Sequence, residues 1–160
     1  MKRILCLMLM LLSVAAIAQK KQKPNINKAL KSLQDGQLAE AKQIIDDATT
    51  YEKTMDDGKT WYYRGLIYAA IDTTSKAEFK SLADNPFDVA MESFAKADKM
   101  QKGGSEYFTT DPGNVIPVTK TQQLGQLANF SLNKGATLYQ SDNLAEALKN
   151  FEKTQVVLPD

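Results

Sequence analysis

From Pro24 onward, apolar residues recur every three or four positions, and no stretch alternates apolar with polar as a half-buried strand would. The pattern therefore predicts an all-α chain. A short helix is expected over 27–34, closed by Asp35-Gly36, since glycine tolerates the left-handed turn at a helix C-terminus. A second helix over 37–53 places Leu38, Ala41, Ile44, Ile45 and Ala48 on one face. "MDDG" (55–58) reads as a turn, and a third helix is expected over 59–71. A short polar helix should begin near Thr74 or Ser75. Asn85-Pro86 then starts another: Asn85 can cap, Pro86 suits the first helical position, and Asp88 puts a carboxylate at the positive end of the dipole. Its apolar face is Phe87, Ala90, Met91, Phe94 and Ala97, and Gly103-Gly104 stops it. The segment after that reads as a long loop with an Asp111-Pro112-Gly113 turn. Helices over 120–139 and 144–157, joined by Ser141-Asp142-Asn143, complete the chain, and Pro159 forbids simple continuation of the last.

Three segments share one spacing: "GQLAEAKQIIDDA" (36–48), "NPFDVAMESFAKA" (85–97) and "DNLAEALKNFEKT" (142–154). In each, a bulky residue (Leu38, Phe87, Leu144) stands three before an alanine (Ala41, Ala90, Ala147). Four residues later comes another bulky one (Ile45, Phe94, Phe151), and three further on a small one (Ala48, Ala97, Thr154). Such alternation of large and small lets antiparallel helices interlock. A single hairpin cannot bury its apolar face alone, so it stacks on the next.

The spacing resembles that of the tetratricopeptide repeat, W-x2-L-G-x2-Y followed by A-x3-F and then P. The second copy supplies Trp61, Gly65 and Tyr68 in its first helix, then Ala90 and Phe94 in its second; Arg64 replaces the usual leucine. The third has Gly135, Ala147, Phe151 and Pro159, with Ser131 where tryptophan would stand. The first has Ala29, Ala41 and Ile45. The likeness covers about residues 25–160. It implies stacked antiparallel helical hairpins, a solenoid of about three units. The repeat alanines lie 49 and 57 residues apart, against about 34 in a standard unit. The copies are therefore elaborated, by 72–84 within the second hairpin and by 103–120 before the third.

The first 18 residues stand apart. "MKR" is a basic lead, and "ILCLMLMLLSVAAIA" is an apolar run ending in Ala16-Ile17-Ala18, a pattern that signal peptidase accepts. Cleavage after Ala18 is expected, leaving a flexible lead-in over 19–25 and a helical domain over 26–160. A run of about 15 apolar residues is short for an uncleaved membrane anchor. Cys6 is preceded by the bulky Leu5, which argues against a lipoprotein signal. Cleavage removes Lys2 and Arg3 and turns the formal charge from +1 to −1, which leaves no electrostatic footprint for nucleic acid. It also removes the single cysteine. The expected location is the periplasm, the outer envelope or the medium, with no membrane insertion after cleavage. "LPD" falls where another repeat would begin and would leave Val156, Val157 and Leu158 without a partner helix. That implies either a longer protein or a partner docked on this end.

The chain has no histidine, so the common nucleophile–base pairs and zinc ligand sets cannot be assembled from the mature residues. No cofactor or metal is expected. Ser93-Phe94-Ala95-Lys96 with Ser141-Asp142-Asn143, and Gly58-Lys59-Thr60, imitate catalytic motifs but fall within the repeat pattern or lack the required context. Asp46-Asp47 and Asp56-Asp57 read as solvated acids or caps. The resemblance instead implies a concave binding surface lined by first helices. By spacing these residues are Tyr62, Leu66 and Ala69 in the second unit and Leu132, Asn133, Ala136 and Tyr139 in the third. Asn133 would hold the backbone of an extended peptide. Trp61, Gly65 and Tyr68 would pack against Phe94, leaving Tyr62 as the free ring and Tyr63 undecided. Arg64 is expected to pair with a carboxylate of a neighbouring helix. The resulting expectation is a non-catalytic scaffold of the bacterial cell envelope that binds a protein or peptide, as part of an envelope complex. The alternatives are a carbohydrate-binding protein using Tyr62, Tyr63 and Tyr139, or the targeting arm of a longer envelope enzyme.

Overall fold

Seven helices and one small two-stranded sheet make up the structure, a computed structural model that describes residues 22–101, 105–110 and 117–158. The leader (1–18) with Cys6, the Gly103-Gly104 stop, the Asp111-Pro112-Gly113 turn and Pro159 lie outside the described residues. Helix α1 (Ile26–Gln34) is capped by Asn25, whose Oδ1 accepts from the amides of Asn27 and Lys28, both at 3.1 Å. Gly36, at φ +74°, turns the chain into α2 (Leu38–Thr49). That helix ends four residues before its sequence-predicted limit, as Thr54 folds back and donates to the Ala48 carbonyl at 2.7 Å. Asp57 Oδ1 accepts from the Lys59 amide at 2.9 Å and starts α3 (Gly58–Thr73).

The polar helix shrinks to one turn, α4 (Ala77–Lys80). Pro86 opens α5 (Pro86–Met100) as expected, but Asn85 makes no side-chain cap bond. Strands β1 (Phe108–Thr109) and β2 (Val118–Thr119) pair antiparallel, Phe108 opposite Thr119, inside what reads from sequence as an irregular loop. Two residues per strand are too few to carry a periodic signal. Thr119 and Gln122 form a reciprocal capping box at the start of α6 (Lys120–Gln140). Asp142, at φ +62°, makes the turn into α7 (Leu144–Val157).

The helices pack as hairpins, α1 on α2, α3 on α5 and α6 on α7, with α2 also against α3. The repeated spacing sets the packing of two of them. At Gly65 an added Cβ would lie 2.5 Å from the Phe94 ring, and at Gly135 it would lie 2.6 Å from the Phe151 ring. Each aromatic of a second helix thus sits directly on the glycine of its own first helix. The principal core joins Ala29, Leu38, Ala41 and Ile45 of the first hairpin to Tyr62, Ile67, Tyr68, Ala90 and Phe94 of the second. A smaller cluster of Phe87, Leu127, Ala128 and Val157 fastens the third hairpin to the second. Val157 therefore has partners, contrary to expectation, while Val156 and Leu158 stay exposed. The third copy also departs from the others at its first bulky position. Leu38 and Phe87 are 6% and 5% exposed, but Leu144 is 54% exposed, because no helix among the described residues packs over it.

A prediction follows from the two kinds of glycine. Alanine gains up to about 1 kcal/mol over glycine in a helix interior. Overpacking a filled site costs about 1–3 kcal/mol. Gly125 of α6 has nothing within 4 Å of an added Cβ. Gly125→Ala should therefore raise stability in urea titration and Gly65→Ala should lower it. Equal effects would disprove the close contact at Gly65.

Candidate functional site

Helix α3 is apolar around most of its circumference, and the consequence is burial on nearly every side. Trp61 caps its own turn by donating from Nε1 to the Met55 carbonyl at 2.7 Å. Tyr63, Tyr68 and Ile67 are buried. Arg64 pairs with a neighbouring helix as expected, Nε lying 3.2 Å from Asp46 Oδ1, while its Nη1 donates to Ser93 Oγ at 2.9 Å. Asp46 is more than a solvated acid. It also accepts from Lys42 Nζ at 2.8 Å and from the Tyr68 hydroxyl at 2.8 Å, so one carboxylate ties α2 to α3. Asp46 holds the Lys42 ammonium above its ordinary pKa, because the bond between them favours the charged form.

Tyr62 corrects the sequence expectation. It is 0% exposed, the largest fully buried side chain among the described residues, and not a free ring. Tyr107 and Thr109, in the described residues 105–110 between the second and third hairpins, lie over it. Tyr107 stacks on it with centroids 5.1 Å apart and planes at 18°, and Phe94 and Tyr63 close the other sides at 6.3 and 5.7 Å. The close fit again needs a glycine, since a Cβ at Gly58 would fall on the Tyr107 hydroxyl. The Tyr62 hydroxyl donates to Gln123 Oε1 at 2.5 Å, and Gln123 Nε2 donates to Thr109 Oγ1 at 2.8 Å. The covering segment is held further by Lys120 N donating to the Tyr107 carbonyl at 2.8 Å and Gln34 Nε2 donating to the Thr110 carbonyl at 3.0 Å. Burial pushes the Tyr62 phenol from 10.0 up to about 12.

Leu66, one turn further along α3, remains at the surface and lies at the centre of a groove. One cavity of about 310 Å³ is lined by Leu66, Ala69 and Thr73 of α3 and by Gln126, Leu127 and Phe130 of α6. A second, of about 260 Å³, runs on across Leu30 and Leu33 of α1 to Thr109 and Val118. The two share Leu66, Ala70, Gln123 and Gln126, so together they form one depression between the first helices of the three hairpins. Asn133 is exposed one turn beyond Phe130 on the same side of α6, past the residues that line the cavities. Tyr139 is 63% exposed and, with Leu132, lines neither cavity. The structure thus brings Leu66 and Ala69 into the groove and leaves Asn133 and Tyr139 outside it.

Gln123, Gln126 and Phe130 escaped the sequence reading because the repeat pattern places the third unit's first helix at Ser131. Helix α6 begins 11 residues earlier, at Lys120. Its predicted length over 120–139 is the signal that would have pointed to them. Among the described residues no group of three or more metal-ligating side chains comes together, and no helix is long and apolar enough to cross a membrane. No protein-family model, curated protein or solved structure matches this chain.

The Tyr62 environment predicts an alkaline transition. A phenol whose folded pKa lies above its unfolded one stabilises the fold below the unfolded value, and that contribution is lost as pH rises through the folded value. Stability should therefore fall between about pH 10 and pH 12. The fall should be shallower in Tyr62→Phe, as read by urea denaturation across that range. Titration of Tyr62 phenolate absorbance near 10 in the folded protein would contradict its burial.

Proposed function

We propose that this is a secreted or periplasmic, non-catalytic scaffold of stacked tetratricopeptide-like hairpins that binds a protein or peptide partner in its first-helix groove. The observation that carries the reading is the groove itself. Three helices far apart in sequence, α1, α3 and α6, contribute apolar side chains and carboxamides to one continuous depression centred on Leu66. Grooves of this kind hold a segment through apolar contact and a few placed polar groups. The glycine–aromatic contacts at Gly65 and Gly135 support the repeat reading. The basic-then-apolar leader supports export. The carbohydrate alternative loses two of its three rings, because Tyr62 and Tyr63 are 0% and 5% exposed.

Leu66→Glu and Phe130→Ala change half-buried and exposed positions at the groove surface. Each should reduce capture of an envelope partner in crosslinking pull-down by at least about tenfold, the weight of a well-placed apolar contact. Thermal unfolding should stay close to the parent in the exposed Phe130→Ala and fall in Leu66→Glu, whose side chain packs against the principal core. Capture that is unchanged in both variants would place recognition elsewhere on the molecule.

A further inference from the structure

We infer that the groove selects an uncharged, apolar segment of extended peptide over acidic or basic ones. This rests on the groove reading above and specifies its ligand. Two observations carry it. First, no charged side chain lines either of the two joined cavities; their polar groups among the described residues are the carboxamides of Gln34, Gln123 and Gln126 and the hydroxyls of Thr73 and Thr109. A charged ligand side chain would lose water there without finding an ionic partner among the lining residues, whereas an apolar one loses nothing.

Second, one of these carboxamides, Gln34, already holds backbone that borders the groove, and another, Gln123, holds a hydroxyl beside it. Strand β1 runs along one edge of the groove. The Thr110 carbonyl just after it accepts from Gln34 Nε2 at 3.0 Å, and the Thr109 hydroxyl accepts from Gln123 Nε2 at 2.8 Å. A carboxamide offers both a donor and an acceptor, which matches the alternating groups of a peptide backbone. Gln126 lines both cavities, is exposed and makes no side-chain hydrogen bond among the described residues, so its carboxamide is open to solvent and to a ligand in the groove. Leu66, Leu127 and Phe130 then supply the apolar floor and wall. A further depression adjoins the groove at Thr73 and Phe130 and is lined by Asp72, Lys80, Asp84 and Lys134, so charges of both signs lie past that end and outside the two joined cavities.

The test uses the whole chain and three fluorescent peptides of equal length: one of valine, leucine and serine, and two in which the serines become glutamate or lysine. Polarisation titration should show the neutral peptide binding at least about tenfold more tightly than either charged one, with little change between low and high salt. Gln126→Lys, at an exposed helix position, should move preference toward the acidic peptide. Salt-sensitive preference for a charged peptide, still lost in Phe130→Ala, would overturn the selectivity and leave the groove in place. Binding of no peptide, or binding indifferent to both Phe130→Ala and Leu66→Glu, would overturn the selectivity together with the groove.

Discussion

The fold depends on one contact made twice, an aromatic ring of a second helix lying on a glycine of the first. Phe94 on Gly65 and Phe151 on Gly135 bring paired helices closer than any side chain at the glycine would permit. Interiors are packed nearly as densely as organic crystals, so the position of one ring fixes its neighbours. With Phe94 in place, Tyr62 has a wall to lie against, and Ser93 is positioned to receive Arg64. The Asp46 network then reaches back to the first hairpin. The third hairpin repeats the ring-on-glycine contact and meets the second through the smaller Phe87–Leu127–Ala128–Val157 cluster, the Tyr62–Gln123 hydrogen bond and the Lys153–Asp72 and Lys120–Asp98 ion pairs.

A third glycine gives the protein its particular face. Gly58 leaves room for Tyr107, and so a segment foreign to the basic repeat lies over the start of α3. That segment fills the part of the first-helix surface where Tyr62 would otherwise stand open, and it confines the groove to Leu66 and the residues beyond. The same segment provides the edge of the groove, since Thr109 and Val118 line one of its cavities. The elaboration between repeats therefore displaces the expected surface and helps to build the one that is observed.

Helix existence and type were legible in the sequence because the period persists over many residues. The packing of Gly65 and Gly135 was legible because large and small positions recur at fixed spacing. Tyr62 was not, for a physical reason: which side of a helix faces solvent depends on what lies over it, and the covering Tyr107 is 45 residues away in a segment with no period of its own. The clue lay in α3 itself, where "WYYRGLIYAAI" has no polar face to turn toward water. Leu66 could be placed by spacing from Trp61, whereas Gln126 and Phe130 precede the third repeat pattern and needed the full extent of α6.

If ring-on-glycine packing governs the fold, the two residues of each pair must be energetically coupled. A double-mutant cycle of Gly65→Ala and Phe94→Leu, measured by urea denaturation, tests this directly. The account predicts that alanine is tolerated once the ring is gone, with an interaction energy of about 1 kcal/mol or more, within the range for residues in contact. Effects that add to within about 0.5 kcal/mol, as for distant independent sites, would contradict it.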